Sequence, residues 1–154
     1  DRIAAEAGVG KGTIFRRFGD RAGLTAALLD DNMSAFQEAF LRGPPPLGPG
    51  APAGERLAAF VDALLALMDE DLEIVLAAEH AARTTDGAVA GALALHVRSL
   101  IAALDAELEA DVVATLLMGA LSAPVIVRMR ARGGDLLAQQ TAARALVRGL
   151  THPV

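Results

Sequence analysis

Leu57, Phe60, Val61, Leu64, Leu65 and Met68 recur three and four residues apart. That spacing lines one face of an α-helix and no face of a strand, whose side chains alternate with period two. The same period returns in Val89, Leu93, Val97, Leu100, Ile101 and Leu104, and again from Asp111 in Val112, Val113, Leu116, Leu117, Leu121, Val125 and Met129. β-Branched runs are scarce and Ala and Leu abound, so local propensity agrees with the period. The chain is therefore expected to be all-α, with no strand anywhere.

Punctuation divides the helices. Gly8 suits the left-handed position after a short helix "RIAAEA", and "VGKG" makes a tight turn before a second short helix, Thr13 to Phe18. Gly19 closes that helix and Asp20 caps a third, running to about Leu41 with Leu24, Ala27, Leu28, Ala35, Phe36 and Phe40 at helical spacing. Residues 42–54, "RGPPPLGPGAPAG", are too rich in proline and glycine for helix and form a mobile linker or long loop. Helix resumes near Glu55. A break is expected at Glu70–Asp71, before "LEIVLAAEHAAR", and "TTDG" is another turn. Pro124 falls inside the helix from Asp111 and should kink it or loosen one hydrogen bond. Gly133–Gly134 is a turn, and Asp135 to about Leu150 is the last helix.

Composition narrows function. At 154 residues and 53% hydrophobic, the chain can bury a substantial core. No apolar run reaches the ~18 residues needed to span a bilayer, and cysteine is absent, which removes disulfides and thiolate metal sites. Both fit a cytoplasmic protein. Net charge is −5, against a wholesale nucleic-acid coat. Yet Arg2, Lys11, Arg16, Arg17 and Arg21 outnumber Asp1, Glu6 and Asp20 in the first two dozen residues, so a basic head sits on an acidic body.

The stretch "AGVGKGTIFRRFGD", residues 7–20, poses a choice between a nucleotide and DNA. A phosphate-binding loop of the form G-x-x-x-x-G-K-[ST] needs Ser or Thr after the lysine, to reach magnesium. Gly12 stands there instead. Ala5 occupies the first glycine position, and a helix rather than a strand precedes the loop. Two short helices around a glycine-containing turn fit a helix-turn-helix, whose second helix enters the major groove by its N-terminal residues. Spacing alone also allows an ordinary helical hairpin with solvated charges.

The residues decide more than the spacing. "IAAEAGVGKGTIFRRFGDRAGL" closely resembles the DNA-binding segment of TetR-type transcriptional regulators, typified by "IA..AGVS.GTLY.HF..K..L". Ile3, Ala4, Ala7, Gly8, Val9, Gly12, Thr13, Ile14, Phe18 and Leu24 fall in register. Phe15 stands for the usual Tyr, Arg17 for the usual His and Arg21 for the usual Lys. The family's DNA-binding domain has three helices, and the sequence shown starts inside the second, without the first. The resemblance covers about residues 1–41; beyond it only the all-helical architecture corresponds.

The resemblance implies that Lys11, Gly12, Thr13, Phe15 and Arg16 contact bases or backbone and that Arg17 and Arg21 contact phosphates of operator DNA. Residues 1–41 would form a partial helix-turn-helix head with its connecting helix, 42–54 a loop, and 55–154 a helical-bundle body for ligand binding and dimerisation. It further implies a repressor released when a small effector makes the connecting helix swing the heads apart. The alternative is a helical small-molecule-binding or interaction module with a non-functional head.

Within the body, polar residues on apolar faces and neighbouring core residues mark effector-pocket candidates: Phe60, Leu64, Met68, Glu79, His80, Arg83, His96, Met118 and Leu121. Each but His80, which stays open, has a plainer reading as core, as an i,i+4 pair for Glu79 and Arg83, or as a half-buried histidine for His96. Without Tyr or Trp the walls are mostly aliphatic, so the effector is expected to be apolar or amphipathic. The helix from Asp111 is apolar over a wide arc, and Val113, Leu117, Ala120, Pro124, Leu136, Ala143, Leu146, Val147 and Leu150 are dimer-interface candidates. They either build a four-helix bundle between two copies or complete the core of one. His80, His96 and His152 lack ligand spacing, and no serine has a nucleophile's context, so neither metal, cofactor nor catalysis is expected.

Overall fold

The computed structural model describes residue 12 and residues 21–82, 88–105 and 107–151; for 21–29, 71, 73, 74, 77–82 and 88–90 the backbone alone is described. The described chain is all-α. The helices are α1 (Arg21–Arg42), α2 (Ala53–Ala82), α3 (Ala88–Leu104), α4 (Ala110–Ala120), α5 (Ala123–Ala131) and α6 (Leu136–Thr151). The two short helices expected before Gly19 lie outside the described residues; Gly12, expected in the turn between them, is helical.

α2 is the centre. It packs against α1, α3, α5 and α6, while α4 packs on α3. Its 30 residues give about 45 Å at 1.5 Å per residue. Leu57, Phe60, Val61, Leu64, Leu65, Met68 and Val75 are buried along it. The break expected at Glu70–Asp71 does not occur: α2 runs unbroken to Ala82. The acidic run contains neither Gly nor Pro, so nothing in the backbone stops the helix; charge solvates a helical face without ending it.

The long helix expected from Asp111 is two. α4 ends at Ala120 and α5 starts at Ala123, with 45° between them. Pro124 sits in the first turn of α5. Its ring has no N–H for the Ala120 carbonyl and would collide with it, so a new helix begins there. Leu121 and Ser122 bridge the break through bonds from their N–H groups to Leu117 O (3.1 Å) and Gly119 O (3.3 Å). α5 then closes at Gly133, whose φ of +86° only glycine adopts cheaply. Gly133 N–H donates to Arg130 O (2.9 Å) and Gly134 N–H to Met129 O (3.0 Å), the two bonds of a Schellman stop. Asp135 caps α6, its Oδ1 accepting from Ala138 N–H at 2.8 Å.

Residues 43–52 are non-helical, as their prolines require, but they are folded against the end of α1. Gly43 N–H bonds Ala39 O (2.9 Å) and Gly48 N–H bonds Pro44 O (3.0 Å). Leu47 packs on the core and Gly48 is buried. An apolar residue inside the proline run gives the loop something to bury. α2 consequently starts at Ala53, two residues earlier than expected.

Two arginines fix α5 and α6 to α2. Arg144 Nε donates to both Asp62 oxygens (2.9 and 2.7 Å), with Gln140 Nε2 on Asp62 O at 3.2 Å. Arg130 pairs with Asp69. Both pairs are partly exposed, so each contributes up to about 1 kcal/mol.

Glycine substitutions test the packing of the loop. A Cβ at Gly48 would lie 1.8 Å from the Gly43 carbonyl oxygen, whereas one at Gly91, inside α3, meets nothing within 4 Å. Gly48→Ala should lower unfolding stability by about 1–3 kcal/mol, and Gly91→Ala should raise it by up to ~1 kcal/mol, both read from urea midpoints. Equal effects would mean the loop does not hold the end of α1.

Candidate nucleic-acid interface and the aromatic seam of the body

Of the expected DNA contacts, Gly12 is helical and exposed, with open space where a Cβ would stand. Arg21 is the first residue of α1. Lys11, Thr13, Phe15, Arg16 and Arg17 lie outside the described residues. α1 therefore leads from the head region into the body, where Phe36 and Phe40 near its other end are buried.

That end builds an aromatic seam. Phe36 and Phe40 of α1 meet Phe60 of α2 at centroid distances of 5.1 and 5.3 Å and each other at 5.2 Å. His96 of α3 lies nearly flat on Phe40, 4.3 Å away at 30°, and tilts against Phe60 at 5.3 Å. Three of the chain's five phenylalanines are thus spent on one three-helix junction. Edge-on and offset pairs at these distances add about 0.5–1.5 kcal/mol each beyond burial. Spacing explains it: Phe36 and Phe40 are one turn apart on α1, and His96 lies between Leu93 and Val97 on the buried stripe of α3.

Arg56 completes the junction. It stands one turn before Phe60, and its Nη2 donates to the Phe40 carbonyl at 3.2 Å. Among the described residues its Nε is buried without a hydrogen-bond partner, and so is Nε2 of His96. Unmade bonds of buried polar atoms cost about 1–3 kcal/mol each. Burial, and then the nearby Arg56 guanidinium, hold the His96 pKa below its usual 6.5.

The remaining pocket candidates are spread through the body. Phe60, Leu64, Met68 and Leu121 are buried in the continuous core and Met118 packs against it. Glu79 and His80 belong to the last turns of α2, and Arg83 lies outside the described residues. A groove of about 270 Å³ does exist elsewhere, between α3 and α4, lined by Ala94, Leu95, Arg98, Asp111, Ala114 and Thr115. Arg98 and Asp111 pair across it at 2.6 Å. None of the expected pocket residues lines it.

Among the dimer candidates, Leu117, Ala143 and Val147 are buried within the single chain, and Val113, Pro124, Leu136 and Leu150 are half-buried. Ala120 and Leu146 are exposed. So are Val112, Leu116, Val127 and Leu137. The wide apolar arc is real on α4: Ala114 and Leu117 face inward while Val112 and Leu116, at 55% and 69% exposure, face solvent.

The comparisons with known proteins bear on the head. Residues 1–28 match the family model described as bacterial regulatory proteins, tetR family. The match runs through the first eight residues of α1, so the helix that enters the body is continuous with the matched segment. Joined to an all-helical body, such a head makes a DNA-binding transcriptional regulator. The resemblance to the TetR family is thus carried by this N-terminal segment. No curated protein and no solved structure gives a match. Among the described residues no group of His, Asp and Glu is arranged to hold a metal ion, and no single helix is long and apolar enough to cross a membrane.

The seam responds to pH. The folded pKa of His96 lies below its unfolded value, so the two states differ in bound protons only as pH falls through about 6.5. There the unfolded chain takes up a proton that the folded one refuses, and stability is lost until the folded pKa is passed. His96→Phe keeps a stacked ring and removes the proton. Urea midpoints measured from about pH 7 to about pH 5 should fall less for His96→Phe than for the wild type. Parallel curves would place the lost protons elsewhere.

Proposed function

We propose that the protein is a homodimeric repressor, acting in the cytoplasm, whose hold on operator DNA is released by a small apolar or amphipathic effector bound in the body. The observation that carries this reading is the course of α1. The helix begins in the segment that matches the family and ends in the aromatic seam. A ligand that repacks the seam changes the seat of the helix that bears the head, and the coupling is reciprocal: the effector weakens DNA binding as much as DNA weakens effector binding.

The division into a head with its connecting helix (1–41), a loop (42–54) and a body (55–154) follows the same logic. Lys11, Gly12, Thr13, Phe15 and Arg16 serve as base or backbone contacts, and Arg17 and Arg21 as phosphate contacts. The exposed apolar side chains of α4, α5 and α6 support the dimer: Val112, Leu116, Val127, Leu137 and Leu146 would be costly to leave in water. Two copies related by a twofold axis present two heads to a palindromic site.

Fluorescence anisotropy of the full-length protein on DNA from its own promoter region, across a salt series, tests this. Selective binding with a steep salt dependence is expected. Arg17→Ala should weaken binding to all sequences alike and reduce the salt slope by about one. Absence of binding at low salt, from a folded dimer, would leave a helical ligand-binding module with a non-functional head.

A further inference from the structure

Arg56 and His96 come from different helices and meet at the junction of α1, α2 and α3. Each carries a buried nitrogen without a partner in the described structure. Native proteins leave few such atoms unpaired, and each one left calls for an explanation, a bound molecule among them. Arg56 Nε–H can only donate, and His96 Nε2 donates in the imidazolium and in one neutral tautomer. Two donors, one of them on a permanent cation, call for an acceptor with negative charge. A carboxylate offers two oxygens and matches a guanidinium edge. The surroundings are apolar and flat: Phe36, Phe40 and Phe60 stack within 5.1–5.3 Å of one another, and Phe40 carries the His96 ring at 4.3 Å.

We propose that Arg56 and His96 are the polar anchor of a binding site for a small carboxylate with an apolar body, seated at the seam of α1, α2 and α3. The carboxylate takes Arg56 Nε–H and His96 Nε2–H, and the apolar body lies against the phenylalanines. Both nitrogens are sealed from solvent, while His96 as a whole is partly exposed, so the ligand enters as the imidazole turns off Phe40. This names the chemistry of the effector and rests on the reading above only for its consequence at DNA; the binding itself does not depend on it.

Binding should carry a proton. α1 faces the imidazole with Phe40, and α2 faces it with Phe60 and the Arg56 guanidinium. A carboxylate placed between the two nitrogens reverses the local charge and favours the protonated ring, so affinity rises as pH falls from about 7.5 to about 6.

Calorimetric titration of the full chain with benzoate and with octanoate, each against its neutral amide, provides the test. The acids should bind and raise the thermal midpoint, and the amides should not. Arg56→Gln should weaken binding by at least about tenfold, the loss expected for one charge-assisted bond. His96→Phe, which keeps the stack, should abolish the pH dependence. Circular dichroism and thermal midpoints of both variants without ligand verify that they fold. No response to either acid, equal responses to acid and amide, or variants that bind like the wild type would overturn the proposal. Operator binding measured in parallel keeps the two readings apart. Carboxylate binding with no effect on DNA affinity would sustain this site and sink the effector role. DNA binding without carboxylate binding would sink this site and leave the regulator standing.

Discussion

The burial of α2 along most of its length sets the terms for the rest of the body. A helix that buries Leu57, Phe60, Val61, Leu64, Leu65, Met68 and Val75 has apolar surface on more than one side, and a single neighbour cannot cover it. α1, α3, α5 and α6 all serve that need. Each buried Leu, Val, Phe or Met side chain contributes about 1.5–3 kcal/mol, so the helices around α2 are held by area more than by any particular bond. Hydrogen bonds and ion pairs then settle where along α2 each neighbour sits.

Much of this arrangement is legible in the sequence because period and punctuation agree. α1, α3 and α6 fall within about two residues of where spacing and turn residues place them. The errors have physical causes. The acidic run at Asp69–Asp71 looks like an ending, but charge is no breaker when the backbone can continue. Pro124 is read as a kink within one helix, but Ser122 takes an extended conformation, φ −70° and ψ 149°, and the helix restarts. The loop at 43–52 folds down with Leu47 on the core, a tertiary contact that composition does not reveal.

The seam was only half legible. His96 stands out as a polar residue on an apolar stripe, and Phe36, Phe40 and Phe60 are visible as helix positions. Their meeting depends on how three helices cross, which no local pattern encodes. Arg56 was overlooked because it resembles any arginine near a helix start. Its signal was its phase: one turn before Phe60, it lies on the buried side. The family resemblance, by contrast, was carried by local register from Ile3 to Leu24, and a match over residues 1–28 agrees with it.

The two aspartates of α2 that hold arginines have a mechanical consequence. Asp62 and Asp69 are seven residues apart, two turns along one side of the helix. Arg144 of α6 takes the first and Arg130 of α5 the second. They act as marks on a ruler: sliding either helix by one turn, 5.4 Å, would separate its pair. α1 and α3 rest on α2 through apolar rings, with Arg56 on the Phe40 carbonyl a directional tie among them. Apolar contacts are non-directional and tolerate small rotations that charged forks do not. Charged pairs thus set the axial position of α5 and α6, while aromatic packing seats the helix that leads toward the head.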